Sequence, residues 1–275
     1  MISKKKRNLI IFAVASAILL ALIIWVIWSN VTLQLSTYTV NSEILPQNFD
    51  GFRIAHVSDL HNAEFGDENE KLLKLLHESD PDIIAITGDI IDSARTDAAV
   101  DFVKEAIKIA PCYYVTGNHE AAVSKEIFEK LEITFTELGV KIMRGSEAVI
   151  EQDGEYISLI GIDDPRFAEF PESIDEVSSF DGFKILLSHR PEFFDKYVDY
   201  GVDLVLSGHA HGGQFRLPGI GGLVAPGQGL FPEYDAGMFS KDRTTMIVSR
   251  GIGNSIIPVR FNNRPELVIV TLECE

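Results

Sequence analysis

Short apolar runs alternate with one-sided apolar segments from residue 52 to residue 138. The runs, at 54–57, 83–86 and 112–115, have the length of buried strands. The segments between them repeat leucine, isoleucine or valine at helical spacing. They predict helices over residues 68–78, 96–109 and 124–138. This alternation of strand and helix is typical of α/β folds, in which groups at the carboxyl ends of strands build the functional site.

The second half of the chain has more strand patterns and fewer helices between them. Strands are predicted at residues 148–150, 156–162, 183–188, 202–206, 244–249 and 267–272. Two packed mixed β-sheets flanked by helices, an α/β fold with α+β elements, fit this order better than one parallel sheet. The composition does not change within residues 49–275, which we expect to form one domain. Residues 29–48 are predicted to form a linker and an edge strand.

The N-terminal pattern differs from the rest of the chain. A basic tail, residues 1–8, precedes residues 9–28, which carry no charge and span about 30 Å as a helix. Lys4 to Arg7 favour the cytoplasmic side, and Trp25 and Trp28 favour the far interface. A cleaved signal peptide is the alternative, but no small-residue cleavage site follows. We therefore predict a single-pass signal anchor in the cell membrane, with the catalytic domain extracytoplasmic.

Composition narrows the possible partners. Hydrophobic residues make up 46% of the 275 residues, enough for a full core, and two cysteines exclude a disulfide framework. The chain has 24 basic and 41 acidic residues, and four of the basic ones lie in the tail. The acidic remainder argues against a nucleic-acid surface. An anionic substrate is still compatible with this acidic composition, because bound divalent metals reverse the local electrostatic field.

Polar residues follow most of the predicted strands. Two histidines one residue apart, such as His209 and His211, are by themselves as compatible with a surface loop as with a metal site. Here, however, five of the seven histidines lie at strand ends. Oxygen and imidazole donors without cysteine suit Mn, Fe, Zn or Co, and a shared aspartate would account for a pair of ions. The residues at strand ends are Asp59, His61, Asp89, Asn118, His119, His189, His209 and His211.

These residues belong to five blocks: Asp-x-His, Gly-Asp-x-x-Asp, Gly-Asn-His-Glu, a lone histidine after an apolar strand, and Gly-His-x-His. In order and spacing, over residues 49–275, they resemble the calcineurin-like metallophosphoesterase superfamily, which implies its αββα sandwich. Segments 208–217 and 249–266 look like the membrane-anchored or exported bacterial branch, which is related to UDP-2,3-diacylglucosamine hydrolases. Ala210 departs from the polar residue common there, but it is not a ligand position.

The resemblance implies roles for particular residues. Two divalent metal ions would be bound, the first by Asp59, His61 and His211 and the second by Asn118, His189 and His209, with Asp89 bridging both. A metal-bridging hydroxide would attack phosphorus in line. His119 would protonate the leaving oxygen, Asn118 would also hold a phosphate oxygen, and Asp92 would orient His119. For Asp92, a helix cap or turn residue is nearly as plausible.

The expected function is hydrolysis of a phosphoester or pyrophosphate bond at the outer membrane face, by a phosphodiesterase or phosphohydrolase. The substrate is expected to be a phosphoester. A lipid-linked phosphate would explain the anchor, but so would retention of an enzyme with a soluble substrate at the cell surface. A phosphomonoesterase is the alternative enzyme, and a non-catalytic metal-stabilised binding module is the alternative of another class. Residues 212–240 are read as a long irregular segment that either faces substrate or covers the core. His56 and His77 are interpreted as structural. Arg190, Arg250 and Arg260 are interpreted as solvated, with binding of a substrate phosphate as the alternative.

Overall fold

A computed structural model describes residues 3–254 and 257–275. Its first element, α1 (Lys4–Val31), is exposed along almost its whole length. Within the described residues it is the one helix long and apolar enough to cross a membrane. The uncharged stretch 9–28 lies inside it. The other α-helices are α2 (Glu70–Glu78), α3 (Asp97–Ala106), α4 (Lys125–Glu137) and α5 (Phe194–Asp199).

The strands form two six-stranded mixed sheets and two short hairpins. In chain order they are β1 (Gln34–Ser42), β2 (Arg53–Val57), β3 (Ile83–Thr87), β4 (Cys112–Val115), β5 (Lys141–Ile142), β6 (Ser146–Gln152), β7 (Glu155–Gly161), β8 (Lys184–Leu187), β9 (Leu204–Ser207), β10 (Arg216–Leu217), β11 (Gly221–Gly222), β12 (Val224–Ala225), β13 (Gly229–Leu230), β14 (Gly237–Lys241), β15 (Thr244–Val248) and β16 (Glu266–Cys274).

The first sheet has the order β1-β16-β2-β3-β4-β5. Strands β2 to β5 are parallel, β16 runs antiparallel to β2, and β1 is parallel to β16. The predicted edge strand is therefore present as β1. Because β1 and β2 run in opposite directions, the start of β1 lies at the same end of the sheet as the carboxyl ends of β2, β3 and β4.

The second sheet has the order β14-β15-β9-β8-β7-β6, with parallel strands in the centre and antiparallel strands at both edges. The two mixed sheets confirm the predicted sandwich. The reading of residues 212–240 as irregular is wrong in part, since this segment holds two hairpins and most of β14. Their glycine-rich sequence lacks the apolar alternation by which strands are recognised.

The core occupies three layers. One apolar cluster lies between the sheets and includes Ile54, Val115 and Leu206. A second packs α2 and α3 against the first sheet, and a third packs α5 against the second. All five residues of β3 are buried, which explains why its sequence is an unbroken apolar run rather than an alternating one. Each fully buried aliphatic side chain contributes about 1.5–3 kcal/mol.

Candidate active site

The loops after β2, β3 and β9 hold their polar residues in a strained backbone. Asp59, His61, Asp89, His209 and His211 all have positive φ, between 48° and 65°. This region is costly for residues other than glycine, and such outliers gather at functional sites. The amide of His61 donates to the carbonyl oxygen of Asp89 at 3.0 Å, so that neighbouring loops hold each other in this conformation.

Two glycines of the sequence blocks permit close approach between loops. A Cβ at Gly208 would overlap the Ser58 hydroxyl and the Asp59 carboxylate. A Cβ at Gly117 would overlap the carboxylate of Asp89. Glycine is therefore required at both positions because an acidic side chain takes up the space.

Seven donors lie at this edge of the sandwich, and six of them form two overlapping groups. In the first, His211 Nε2 lies 3.3 Å from Asp59 Oδ1 and 3.2 Å from His61 Nε2. All of these side chains are buried. The groups of ligand atoms that lie within 4.8 Å of one another are Asp59, His61, Asp89 and His211, and Asp89, His189 and His209.

The side chains of the second group lie as close to one another as those of the first. His189 Nε2 lies 3.1 Å from Asp89 Oδ2, and His209 Nδ1 lies 3.2 Å from His189 Nε2. Asp89 is the one side chain common to both groups, and it has 1% exposure. The structure therefore brings the predicted bridging residue between the two predicted sets of ligands.

Asn118, the seventh predicted ligand, lines the same cavity. Its Oδ1 is buried and has no hydrogen-bond donor among the described residues. A buried amide oxygen without a partner is costly unless a cation or substrate completes it. The imidazole and carboxylate donors, the facing nitrogens and this unpaired oxygen fit a pair of divalent cations.

Charge at the centre is balanced between Asp89 and His189. Burial alone would raise the pKa of Asp89, but the facing His189 and its hydrogen bond hold that pKa well below its usual value. Burial would likewise lower the pKa of His189, whereas Asp89 raises it to about 10. Without a bound cation, a proton on His189 neutralises the carboxylate, and a divalent ion would displace that proton. The buried carboxylates thus require positive charge beside them.

His119 occupies a different position from the ligand groups. Its side chain is 21% exposed, and its Nε2 lies 4.0 Å from Asp89 Oδ2. Its ring meets that of His61 edge to face at a centroid distance of 4.6 Å. The backbone amide of His119 donates to Asp89 Oδ1 at 2.7 Å, which fixes the loop. The imidazole is thus held on the cavity wall, partly open to solvent.

The predicted contact between Asp92 and His119 is not present among the described residues. Asp92 is exposed, and its Oδ1 accepts a hydrogen bond of 2.8 Å from Asn62 Nδ2. The aspartate therefore braces the loop after β2 in this structure, and its role in orienting His119 stays a prediction without geometric support.

Glu120 is a residue whose function the sequence did not indicate. Its buried carboxylate accepts hydrogen bonds from the backbone amides of Asp89, Ile90 and Gly117, at 2.7–3.0 Å. Burial and the neighbouring Asp89 raise the pKa of Glu120 to about 7. The side chain therefore ties the loop after β3 to the loop after β4. Its position in the Gly-Asn-His-Glu block was the available signal.

The interpretation of Arg190 as solvated is wrong. Its guanidinium, 14% exposed, pairs with the buried carboxylate of Asp164, and its Nη1 donates to Glu192 Oε1 at 3.3 Å and to His209 Nε2 at 2.9 Å. Arg166 is a second cation that the sequence analysis missed, and its Nη1 donates to the backbone oxygen of Asn118 at 3.3 Å. Asp164 and Arg166 follow β7, and their position at a strand end was the usable signal.

Arg260 and Arg250 are not freely solvated either. Arg260 is fully buried, and its guanidinium donates to the backbone oxygens of Gly253 and Arg250. The Arg250 side chain is 23% exposed and lies 3.7 Å from Glu266 Oε1. His56 agrees with its structural interpretation: it is buried, and its Nε2 pairs with Thr87 Oγ1 at 2.7 Å.

A cavity of about 230 Å³ opens onto the two groups of donors. His119, Arg166 and Arg190 place positive or proton-donating groups beside the carboxylate of Asp89, which suits an anionic group bound to metal. The cavity is lined by Asp89, Asn118, His119, Arg166, Arg190, His209, His211, Pro226 and Gly227.

Two mixed sheets with overlapping groups of metal-binding side chains at the strand ends define the class of metal-dependent phosphoester hydrolases. Comparison with known proteins gives the family: residues 52–213 match the calcineurin-like phosphoesterase family model. The chain belongs to this family.

Relatives align over most of the chain. Metallophosphoesterase YkuE of Bacillus subtilis is 31% identical, covering 88% of this chain and 86% of YkuE. Phosphodiesterase YaeI of Escherichia coli is 28% identical, covering 80% of this chain and 82% of YaeI. The UDP-2,3-diacylglucosamine pyrophosphatase LpxG of Chlamydia muridarum is 26% identical, covering 93% of this chain and 95% of LpxG.

Proposed function

We propose that this protein hydrolyses a phosphodiester or pyrophosphate bond at a site for two metal ions. The observation that carries the proposal is the position of Asp89, shared between two buried groups of donors, with His119 outside both on the cavity wall. Asp59, His61 and His211 would hold one ion, and Asn118, His189 and His209 the other. Bound ions would supply positive charge for the phosphate and lower the pKa of water to near neutrality.

The remaining residues would act on the substrate. His119 would hold the proton that the leaving oxygen requires, because its side chain belongs to neither group of metal-binding residues. Arg166 and Arg190, which also line the cavity, would stabilise the charge of the phosphate group. Arg190 is fixed by Asp164, so it would be preorganised, whereas the more exposed Arg166 would adapt to the substrate.

Relatives favour a diester or pyrophosphate over a monoester, since YaeI is named a phosphodiesterase and LpxG a pyrophosphatase. A lipid-linked phosphate is the candidate substrate class, because the LpxG substrate named is a diacylated sugar nucleotide and α1 would hold the enzyme at a membrane. The test is an assay of the full chain in detergent with bis(p-nitrophenyl) phosphate, p-nitrophenyl phosphate and UDP-2,3-diacylglucosamine.

Chelation should abolish activity, and Mn²⁺ should restore it. Preference for the monoester over both other substrates would favour the phosphomonoesterase. Metal binding without turnover of any of the three substrates would favour a binding module.

We also propose that residues 9–28 anchor the chain and that the domain lies outside the cytoplasm. The four basic residues before Asn8 support this orientation. Protease added to intact protoplasts should digest the domain, and its full protection would contradict the orientation.

A further inference from the structure

The end of α1 is fixed to a segment that precedes β16. Asn30 Nδ2 donates to the backbone oxygen of Arg260 at 2.8 Å, and the Arg260 amide donates to Asn30 Oδ1 at 2.9 Å. The guanidinium of Arg264 lies 4.8 Å from the centre of the Trp28 ring and donates to the carbonyl oxygens of Thr32 and Leu33. Residues 257–264 are therefore held against the C-terminal end of α1.

The topology brings the active site to the same end of the molecule. β1 begins three residues after α1 ends, and Gln34 pairs with Glu266 at the start of β16. β16 runs antiparallel to β2, so the carboxyl end of β2 lies beside the start of β16. The loops that carry Asp59 and Asp89 follow β2 and β3 at this end. The edge of the first sheet that carries these loops therefore lies at the same end of the molecule as the C-terminal end of α1.

Exposed apolar side chains lie in the segments that follow the ligand loops and precede β16. Leu230 and Phe231, at the end of the second hairpin, are 75% and 64% exposed, and Ile220 in the first hairpin is 61% exposed. Ile257 and Val259 are exposed beside the end of α1. Gln214 Nε2 donates to the backbone oxygens of both of these residues, at 2.8 and 2.7 Å, which joins the two segments into one face. Contiguous exposed apolar groups mark an interaction surface.

The charge of this face differs from that of the rest of the domain. Residues 204–232 and 243–265 contain no aspartate or glutamate, although the chain has 41 acidic residues. Arg264, which is partly exposed, donates to carbonyl oxygens and takes part in no salt bridge among the described residues. An anionic bilayer would repel the acidic remainder of the domain, but it would attract this face.

The same hairpin that carries Leu230 also lines the catalytic cavity. Its turn lies between β12 and β13, and Pro226 and Gly227 from that turn form part of the cavity wall. A lipid surface in contact with Leu230 and Phe231 would thus lie next to the mouth of the cavity.

We propose that residues 216–231 and 257–264 form a docking face that rests on the anionic bilayer anchoring α1, so that the active site takes phosphoesters directly from the membrane surface. Amphipathic surfaces of this kind bind through buried apolar area together with attraction to anionic lipid. The proposal deepens the proposed function and rests on it and on anchoring by α1. The ligand it implies is an amphiphile whose phosphate lies at the level of the head groups.

Depth-dependent quenching tests the docking without relying on activity. The full chain with Cys274→Ser is reconstituted in nanodiscs that contain phosphatidylglycerol. A fluorescent label is attached at Leu230→Cys or, as the control, at Ile133→Cys. Ile133 lies on α4 and is 59% exposed. Helix α4 packs beside β5, and β5 lies five strand spacings, or about 24 Å, from β1. Spin-labelled lipid should quench the label at 230 but not the label at 133. Equal, weak quenching at both positions would overturn the proposal.

Kinetics test the consequence for the substrate. Leu230→Asp with Phe231→Asp should lower turnover of a hexadecyl p-nitrophenyl phosphodiester in nanodiscs by about tenfold, because charged residues weaken insertion at the interface. Turnover of soluble bis(p-nitrophenyl) phosphate should not change, and Ile133→Asp should affect neither substrate. Equal loss on both substrates would contradict the proposal. Absence of turnover in the unchanged protein would reject the hydrolase function instead, while quenching would still report docking.

Discussion

Two cavities of this protein differ in size and in chemistry. The larger, about 510 Å³, lies beside α4 and is lined by Glu129, Glu132, Ile133, Thr136, Glu137 and Ile142. The smaller, about 230 Å³, lies over the strand ends. Within the described part of the chain, the groups of metal-binding side chains lie at the smaller cavity alone. The larger cavity has exposed acidic groups that water can solvate. Buried donors that converge thus identify the site better than volume does.

The largest effect is expected for Asp89→Ala. Removal of the shared carboxylate should lower kcat/KM by at least about 10³-fold. Metal ions stabilise the transition state by several kcal/mol, and each 1.4 kcal/mol lost lowers the rate about tenfold. The matched control is Glu129→Ala at the larger cavity, which should leave kcat/KM unchanged. Steady-state kinetics with Mn²⁺ compare the two variants. Similar losses for both would remove the distinction between the cavities.

His119→Ala should have the next largest effect. A positioned general acid contributes about 10²–10⁴-fold, so turnover of esters with poor leaving groups should fall by that factor while the metal content stays the same. The loss should be smaller for p-nitrophenyl esters, whose leaving group needs little protonation. His209→Ala should impair both kinds of ester, because it disturbs a metal site. Equal losses for His119→Ala on both kinds would indicate that this residue stabilises charge instead.

Arg190→Ala should lower the stability of the folded domain. It leaves the carboxylate of Asp164, which is 1% exposed, without its ion pair, and breaking such a pair costs about 3 kcal/mol. Urea unfolding measures the change in the free energy of unfolding. The control is Arg243→Ala, since Arg243 is 55% exposed and should matter less. An unchanged midpoint for Arg190→Ala would show that Asp164 finds another partner.

Arg166→Ala should have the smallest effect on the site. The side chain is exposed and donates to a backbone oxygen, so its loss should raise KM for a diester by about tenfold with little change in stability. Initial rates over a range of substrate concentrations separate KM from kcat. A loss confined to kcat would assign Arg166 to the transition state rather than to substrate binding.

The sequence predicted the sandwich and the meeting of the donor residues, because each strand and the polar residue after it are local features. Asp89 and His209 could be found in this way. The functions of Glu120 and Arg190 could not, since both depend on contacts between loops distant in sequence. The contact expected between Asp92 and His119 is not found among the described residues, since spacing from Asp89 does not determine the direction of an exposed side chain. The hairpins of residues 216–230 lack a periodic pattern altogether.

Metal content tests the central claim most directly. The full chain is loaded with Mn²⁺, freed of unbound metal by gel filtration and analysed for manganese beside Asp89→Ala. We predict two ions per chain in the unchanged protein and the loss of both in the variant, since Asp89 belongs to both groups of donors. A single ion in the unchanged protein, or two ions retained by Asp89→Ala, would contradict a centre built on this shared carboxylate.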